Sequence, residues 1–298
     1  MDEFANDLVP PEDPRATWDL PAFGSMPTVA DLDPTVTRIL APNASPMTLD
    51  GTNTYVIGVP GNGEVLVVDP GPDDSAHLTR VEGVLAARDA AVRAVAVTHH
   101  HHDHAEAAAA WARRLGCIVV ASSPQVAGRS GRLVGDGERV GLAGMDVEVV
   151  ATPGHTDDHV AFRLPTGDLL TGDHVLGRGT SVVAYPDGDL VAYLDSLRRV
   201  LDLGPDVLYP GHGPDLREDP AAVLTFYHDH RRFRQRQLLA TLAAGPATAG
   251  ELVAHLYADV DRRVWPAAEA STRAALAALQ AQQRIRETGE RFELDPDT

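Results

Sequence analysis

From about residue 35, short apolar runs rich in β-branched residues recur along the chain. They are TYVIGV (54–59), EVLVVDPG (64–71), AVAVTHH (94–100), CIVVAS (117–122), DVEVVATPG (146–154), HVAFRLP (159–165), DLLTGDHV (168–175) and DVLYPGHG (206–213). Their length and composition predict β-strands, and several end in a Gly, Pro, Asp or His cluster that stops the strand. Between them lie stretches with helical spacing. SAHLTRVEGVLAARD (75–89) and HAEAAAAWARRLG (104–116) are the clearest, the second closed by Gly116 as a C-cap. Leu190, Leu194, Leu197 and Leu201 repeat the spacing over 189–203. Strands interleaved with helices predict an α/β layered domain.

The pattern differs at both ends. Residues 1–33 are acidic and proline-rich without a period, which predicts a loose N-terminal arm. From Asp219 to Leu242 a long helix is expected. Thr248 and Glu251 then stand at capping-box spacing ahead of a second apolar face, and a third helix follows over about 268–283. The tail RIRETGERFELD (284–295) reads as two short strands around a Thr-Gly-Glu turn. Three helices and a hairpin are the order of a winged helix. The expected division is therefore an arm over 1–33, a main domain over 34–218 and a winged-helix-like domain over 219–298.

Composition narrows the class. A chain of 298 residues that is 44% apolar can bury a sizeable core. No apolar run approaches the ~20 residues a bilayer requires, so no membrane span is expected. The acidic start MDEFANDLVPPEDP lacks the basic, apolar form of a secretory leader, and a cytoplasmic protein is expected. The single cysteine, Cys117, excludes an internal disulfide and any multi-thiolate metal site, and its apolar setting reads as core. The net charge is −18 and every basic residue is arginine. The charge is uneven: residues 210–298 carry 13 acids and 11 arginines, while residues 1–209 carry 30 and 14. That weighs against general polyanion binding and places any nucleic-acid contact in the C-terminal part.

Chemistry gathers at the strand ends. The stretch THHHHDHAEA (98–107) puts His99, His101, Asp103 and His104 after one strand. His155 follows another in TPGHTDDH, Asp173 a third in TGDH, and His212 a fourth in PGHG. Were these strands neighbours ending on one sheet edge, all seven side chains would converge where α/β sheets place their sites. One tetrahedral zinc does not require so many donors, but two metals do. His99, His101 and His155 make an all-nitrogen site, Asp103, His104 and His212 a second, and Asp173 can bridge with its two oxygens. Imidazole with carboxylate favours two Zn²⁺ and also suits Fe or Mn. A single histidine at a strand end is ordinarily structural, and His77, His228 and His255 are read so. His100 and His102 fill spacer positions. His174 points away from Asp173's side by strand alternation.

T-H-x-H-x-D-H at 98–104 resembles the signature of the metallo-β-lactamase fold superfamily, and His155, Asp173 and His212 follow in that superfamily's order. GTNTYVIG (51–58), VVDPG (67–71), TPGHTDDH (152–159), TGDHVLGRGT (171–180), YLDSL (193–197) and YPGHGP (209–214) are similar to the lactamase-beta-2-like family over about residues 38–285. The resemblance implies an αββα sandwich with a dinuclear site at one edge, followed by a winged helix. It implies a metal-dependent hydrolase that attacks an ester-like bond with a metal-bridged hydroxide. Cys117 is misplaced for the second-site cysteine of the commonest zinc β-lactamases, so little β-lactamase activity is expected.

Within that chemistry Asp103 is the group expected to orient the hydroxide and receive its proton. Asp69 is expected either to hydrogen-bond a ligand imidazole or to be the turn residue before Pro70, and Asn53 and Thr54 either to border the pocket or to serve a plain turn role. His159 is either substrate-facing or a local cap. The basic run HDHRRFRQRQ (228–237) places Arg232 and Arg236 on one helix face, for phosphate contact or for solvent. A small-molecule thioester or acyl ester is the favoured substrate, with single-stranded RNA the alternative. An iron-dependent persulfide dioxygenase and a non-catalytic nucleic-acid-binding regulator are further classes. The oligomeric state is left open.

Overall fold

The computed structural model describes residues 8–142 and 144–296. Chain order runs β1 (Val29–Asp33), β2 (Val36–Leu40), β3 (Asn53–Ile57), β4 (Glu64–Val68), α1 (Ser75–Ala87), β5 (Ala91–Ala96), α2 (His102–Ala105), α3 (Ala108–Leu115), β6 (Ile118–Ala121), α4 (Pro124–Ala127) and β7 (Arg132–Leu133). It continues through β8 (Arg139–Leu142), β9 (Met145–Ala151), β10 (Val160–Arg163), β11 (Leu169–Gly172), α5 (Leu190–Leu203) and β12 (Leu208–Pro210). Last come α6 (Pro220–Leu242), β13 (Ala247–Thr248), α7 (Ala249–Leu256), α8 (Trp265–Ala281), β14 (Ile285–Thr288) and β15 (Arg291–Leu294).

Strands β1 to β7 form one sheet in chain order, and β12-β11-β10-β9-β8 form a second. Period-2 alternation explains how they pack. Tyr55, Ile57, Leu66 and Val68 turn inward to meet Val147, Val149, Phe162 and Leu170 of the second sheet. Val56, Val65 and Val67 turn outward under α1 and α3, where Val81 and Trp111 cover them. On the far side Val150, Ala161, Leu169 and Leu208 pack under α5 and α6 through Tyr193, Leu197, Leu224 and Tyr227. Each sheet is thus apolar on both faces, and helices must cover both outer faces: the αββα sandwich expected.

The C-terminal part has the expected winged-helix order, with β13 adding a third strand beside the β14–β15 hairpin. Its capping box is present, Thr248 Oγ1 accepting from Glu251 N and Glu251 from Thr248 N. The single helix expected over 104–116 is two, α2 and α3, broken at Glu106 and Ala107. The N-terminal arm is not loose over its described length. Val29–Asp33 pairs with β2, so the sheet begins inside the segment expected as arm. Arg15 is buried and donates to Leu176 O at 2.8 Å and Gly179 O at 2.6 Å. Register pairing with β2 and a buried guanidinium are tertiary contacts, which proline content does not reveal. The division expected at 218 falls just ahead of α6, and that helix packs on both α5 and α8.

Candidate metal centre

The seven expected donors meet at one end of the sandwich. They do not share one sheet edge. Asp69 and the 99–104 segment follow β4 and β5 of the first sheet, whereas His155, Asp173 and His212 follow β9, β11 and β12 of the second. The two sheets are stitched there, with Thr52 bridging His212 and Asn53 N donating to Gly211 O at 2.8 Å.

Two triads result. His101 Nδ1 lies 2.9 Å from His99 Nε2 and 3.0 Å from His155 Nε2. His212 Nε2 lies 3.2 Å from His104 Nε2 and 3.2 Å from Asp103 Oδ2. Asp173 stands between them. Its Oδ1 is 3.3 Å from His104 Nε2 and 3.4 Å from His212 Nε2, while Oδ2 is 3.7 Å from His155 Nε2.

The outer hydrogen bonds set the imidazole tautomers. Asp69 accepts at Oδ1 from Thr98 N (2.8 Å) and at Oδ2 from Thr98 Oγ1 (2.9 Å) and His104 Nδ1 (2.9 Å). Because the Thr98 hydroxyl spends its proton on Asp69, its oxygen accepts from His99 Nδ1 at 3.0 Å. His155 Nδ1 donates to Val182 O at 2.5 Å and His212 Nδ1 to Gly51 O at 3.1 Å. Four imidazoles therefore present Nε2 lone pairs inward. Lone pairs held 3.0–3.2 Å apart repel unless a cation or proton lies between them, and buried Asp173 Oδ1 has no hydrogen-bond partner. The donor set fits divalent cations.

Electrostatics divide the triads. Burial holds His155 down to about 4, and with the neighbouring imidazoles it holds His99 well below the ordinary histidine range, leaving both neutral. Burial also opposes the charged form at His104 and His212, but there the carboxylates win. Asp173 and Asp69 raise His104, and Asp173 with Asp103 raise His212 to about 9. Burial alone would raise Asp103, yet its contact with His212 brings it to about 2.

Small residues make the approach possible. A Cβ on Gly211 would lie 2.6 Å from Asp173 Oδ1 and 2.6 Å from His104 Cε1. At Gly172, φ is +47° and a Cβ would meet Thr98 Oγ1 at 2.7 Å.

Other expected residues fall elsewhere. Asn53 does not border the pocket. It is fully buried, donating to Pro210 O and Gly213 O at 2.8 Å each, and so holds the turn that carries His212. Thr54 is likewise buried, donating to Asp69 O and accepting from His77 Nε2. His159 is buried rather than substrate-facing: its ring meets Thr152 Oγ1 at 2.8 Å, and Nε2 accepts from Asp173 N at 3.2 Å. Strand alternation cannot reveal such cross-strand bonds. His174 turns into the core against Tyr193, away from the triads as expected, although it lies in the turn after β11 rather than in the strand. His100 faces Asp158 at 2.8 Å and His102 is exposed, so neither joins the triads.

A cleft of about 570 Å³ opens over Asp103, His101, His155 and Asp173. One wall is the loop after β11, including Leu176 and Arg178, and another is the winged-helix part, including Tyr257, Val260 and Val264. Sequence reading missed this wall, since nothing local in 257–271 indicates a position above the site.

A family model for the metallo-beta-lactamase superfamily matches residues 47–212, and one for the beta-lactamase associated winged helix domain matches 248–293. The chain is similar to the beta-lactamase-like protein 2 homolog of Drosophila melanogaster, at 31% identity over 88% of this chain and 93% of that one. It is also similar to an atrochrysone carboxyl ACP thioesterase of Aspergillus chevalieri, at 30% identity over 80% of this chain and 78% of that one. Its structure resembles a crystal structure of a metallo-beta-lactamase family protein from Thermus thermophilus, with TM-score 0.75, 27% identity, and coverage of 89% and 100% of the two chains. On sequence and fold together, the chain belongs to the metallo-beta-lactamase superfamily and carries that family's associated winged helix.

Proposed function

We propose that this metallo-β-lactamase-fold hydrolase holds two zinc ions and cleaves a small-molecule thioester or related acyl ester. The observation that carries the metal count is Asp173, whose two oxygens face the two triads. His99, His101 and His155 would hold one ion, Asp103, His104 and His212 the other, with Asp173 shared. Bound zinc supplies Lewis acidity, lowering the pKa of a water toward neutrality and stabilising negative charge on a substrate oxygen.

The chain's own groups do the rest. Asp103 lines the cleft and stays ionised, which suits it to orient the attacking water through a carboxylate oxygen. Asp69 keeps the proton of His104 on Nδ1, and Thr98 does the same for His99. Leu49, Leu176, Val260 and Val264 give the cleft an apolar lining suited to an acyl group and exclude water from the carbonyl. Similarity to a thioesterase supports the same bond type.

The test is a panel of acyl thioesters, lactones and labelled single-stranded RNA, with metal content measured on the same preparation. Thioester turnover should fall about 10²-fold or more in Asp103→Ala. RNA cleavage lost in Asp103→Ala, without thioester turnover, would overturn the substrate class. A single iron per chain would overturn the two-zinc assignment.

A further inference from the structure

The cleft above the metal centre is unusual in its charge. The carboxylates lining it, Asp103 and Asp173, both belong to the triads. Its remaining charged lining is arginine: Arg178, Arg231 and Arg234. None of the three forms an ion pair among the described residues. Arg231 is only 7% exposed, and its Nε has no hydrogen-bond partner. It donates to Ser181 O and lies over the Tyr193 ring at 5.3 Å, so it braces the loop. Arg178 has two buried nitrogens, Nε and Nη2, without partners. Arg234 is fixed by Gln237 Oε1 at 2.8 Å and by stacking on Tyr257 at 4.5 Å, and its Nε is also unpartnered. The local field is positive enough to act on a neighbour: burial, then Arg231 and Arg234, hold His230 down to about 4. Arg178 and Arg234 are half-buried, and guanidinium nitrogens shielded from water without a partner are costly, so these favour a nearby anion.

We propose that Arg178, on the loop after β11, and Arg234, on α6, form an anion subsite across the cleft. It takes the phosphate or carboxylate end of an amphiphilic substrate whose apolar part lies on Met47, Leu49, Val260 and Val264. The subsite rests on the proposed hydrolytic reading only in that the substrate's reactive bond would then lie over the metals. The mostly apolar lining favours a small amphiphile over a nucleic-acid strand, whose bases and phosphates would require a long basic groove.

Calorimetry on the full-length, metal-loaded protein tests this with octyl phosphate, octanoate and octan-1-ol. The two anions should bind more tightly than the alcohol. Arg178→Gln should weaken both anions about tenfold or more and leave the alcohol unchanged. Arg178→Lys, which keeps the charge, should bind octyl phosphate within about threefold of the parent, and Arg234→Gln should weaken it as Arg178→Gln does. Unchanged octyl phosphate binding in both Gln variants would overturn the subsite. Displacement of octyl phosphate by a single-stranded RNA oligonucleotide, with steep salt dependence, would overturn the amphiphile as occupant. Arginine-dependent octyl phosphate binding without any thioester turnover would uphold the subsite and overturn only the reaction.

Discussion

At the residue scale, the run His99–His102 divides by what each side chain meets. His99 and His101 point to His155, whereas His100 meets Asp158 and His102 meets solvent and Glu106. His101→Ala should lose about one metal equivalent by elemental analysis, and His100→Ala should keep both. Equal losses would place the register wrongly. A second residue contributes to pH stability, apart from the site. His77 is fully buried, and its Nε2 donates to Thr54 because that hydroxyl already donates to Asp69 O. Burial holds it neutral down to about 4, below the ordinary 6.5. Between these values the unfolded chain binds the extra proton, so stability is lost as pH falls from 6.5 to 4. The loss is roughly 3 kcal/mol at its limit. His77→Gln keeps an N–H for Thr54 without titrating, and should flatten the fall in melting temperature across that window. A curve unchanged from the parent would assign the acid lability elsewhere.

At the element scale, strand ends deliver the donors and glycines let them meet. The junction after β12 passes between Asp173 and His104, where no Cβ fits. Gly211→Ala should therefore lower metal content and activity together while the chain still folds, read by elemental analysis beside circular dichroism. Full metal content would show that the junction can shift by most of an ångström at little cost. Most elements were legible from periodicity, because both sheets are buried on two faces and their strands are continuous apolar runs. The break between α2 and α3 was not. Ala105 to Ala110 are nearly all good helix formers, and the break follows from α2 seating Asp103 and His104 at the site. Ala107 N also donates to Gly71 O there, at 3.1 Å.

At the scale of the whole molecule, α6 is shared. Leu224 and Tyr227 cover the second sheet, and Leu238, Leu239 and Leu242 join the winged-helix core. Ending the chain at Glu218 would uncover Val150, Leu169 and Leu208 together. That truncated chain should aggregate or bind a hydrophobic dye strongly, as read by size exclusion and dye fluorescence. A monodisperse, metal-loaded product would show that the sandwich stands without α6. The same helix shows the limit of local reading. Arg232 and Arg236 share an exposed face as their spacing requires, but Arg231 and Arg234, in the same run, turn to the cleft.

The strands, most helices and the winged-helix order were legible in the chain alone, as were the candidate donor residues at the strand ends. Each of these follows from periodicity or from the chemistry of residue types a few positions apart. The assembled fold alone places the candidate donors on two sheets rather than on one edge. It also makes Asn53 and His159 buried braces, adds a strand from the N-terminal segment, and sets the winged-helix part over the cleft, with arginines from the loop after β11 and from α6 in its lining. Those facts depend on contacts between segments far apart in the chain, such as Asn53 with Gly213 and Arg15 with Leu176. Local pattern carries no information about which distant backbone a side chain will meet.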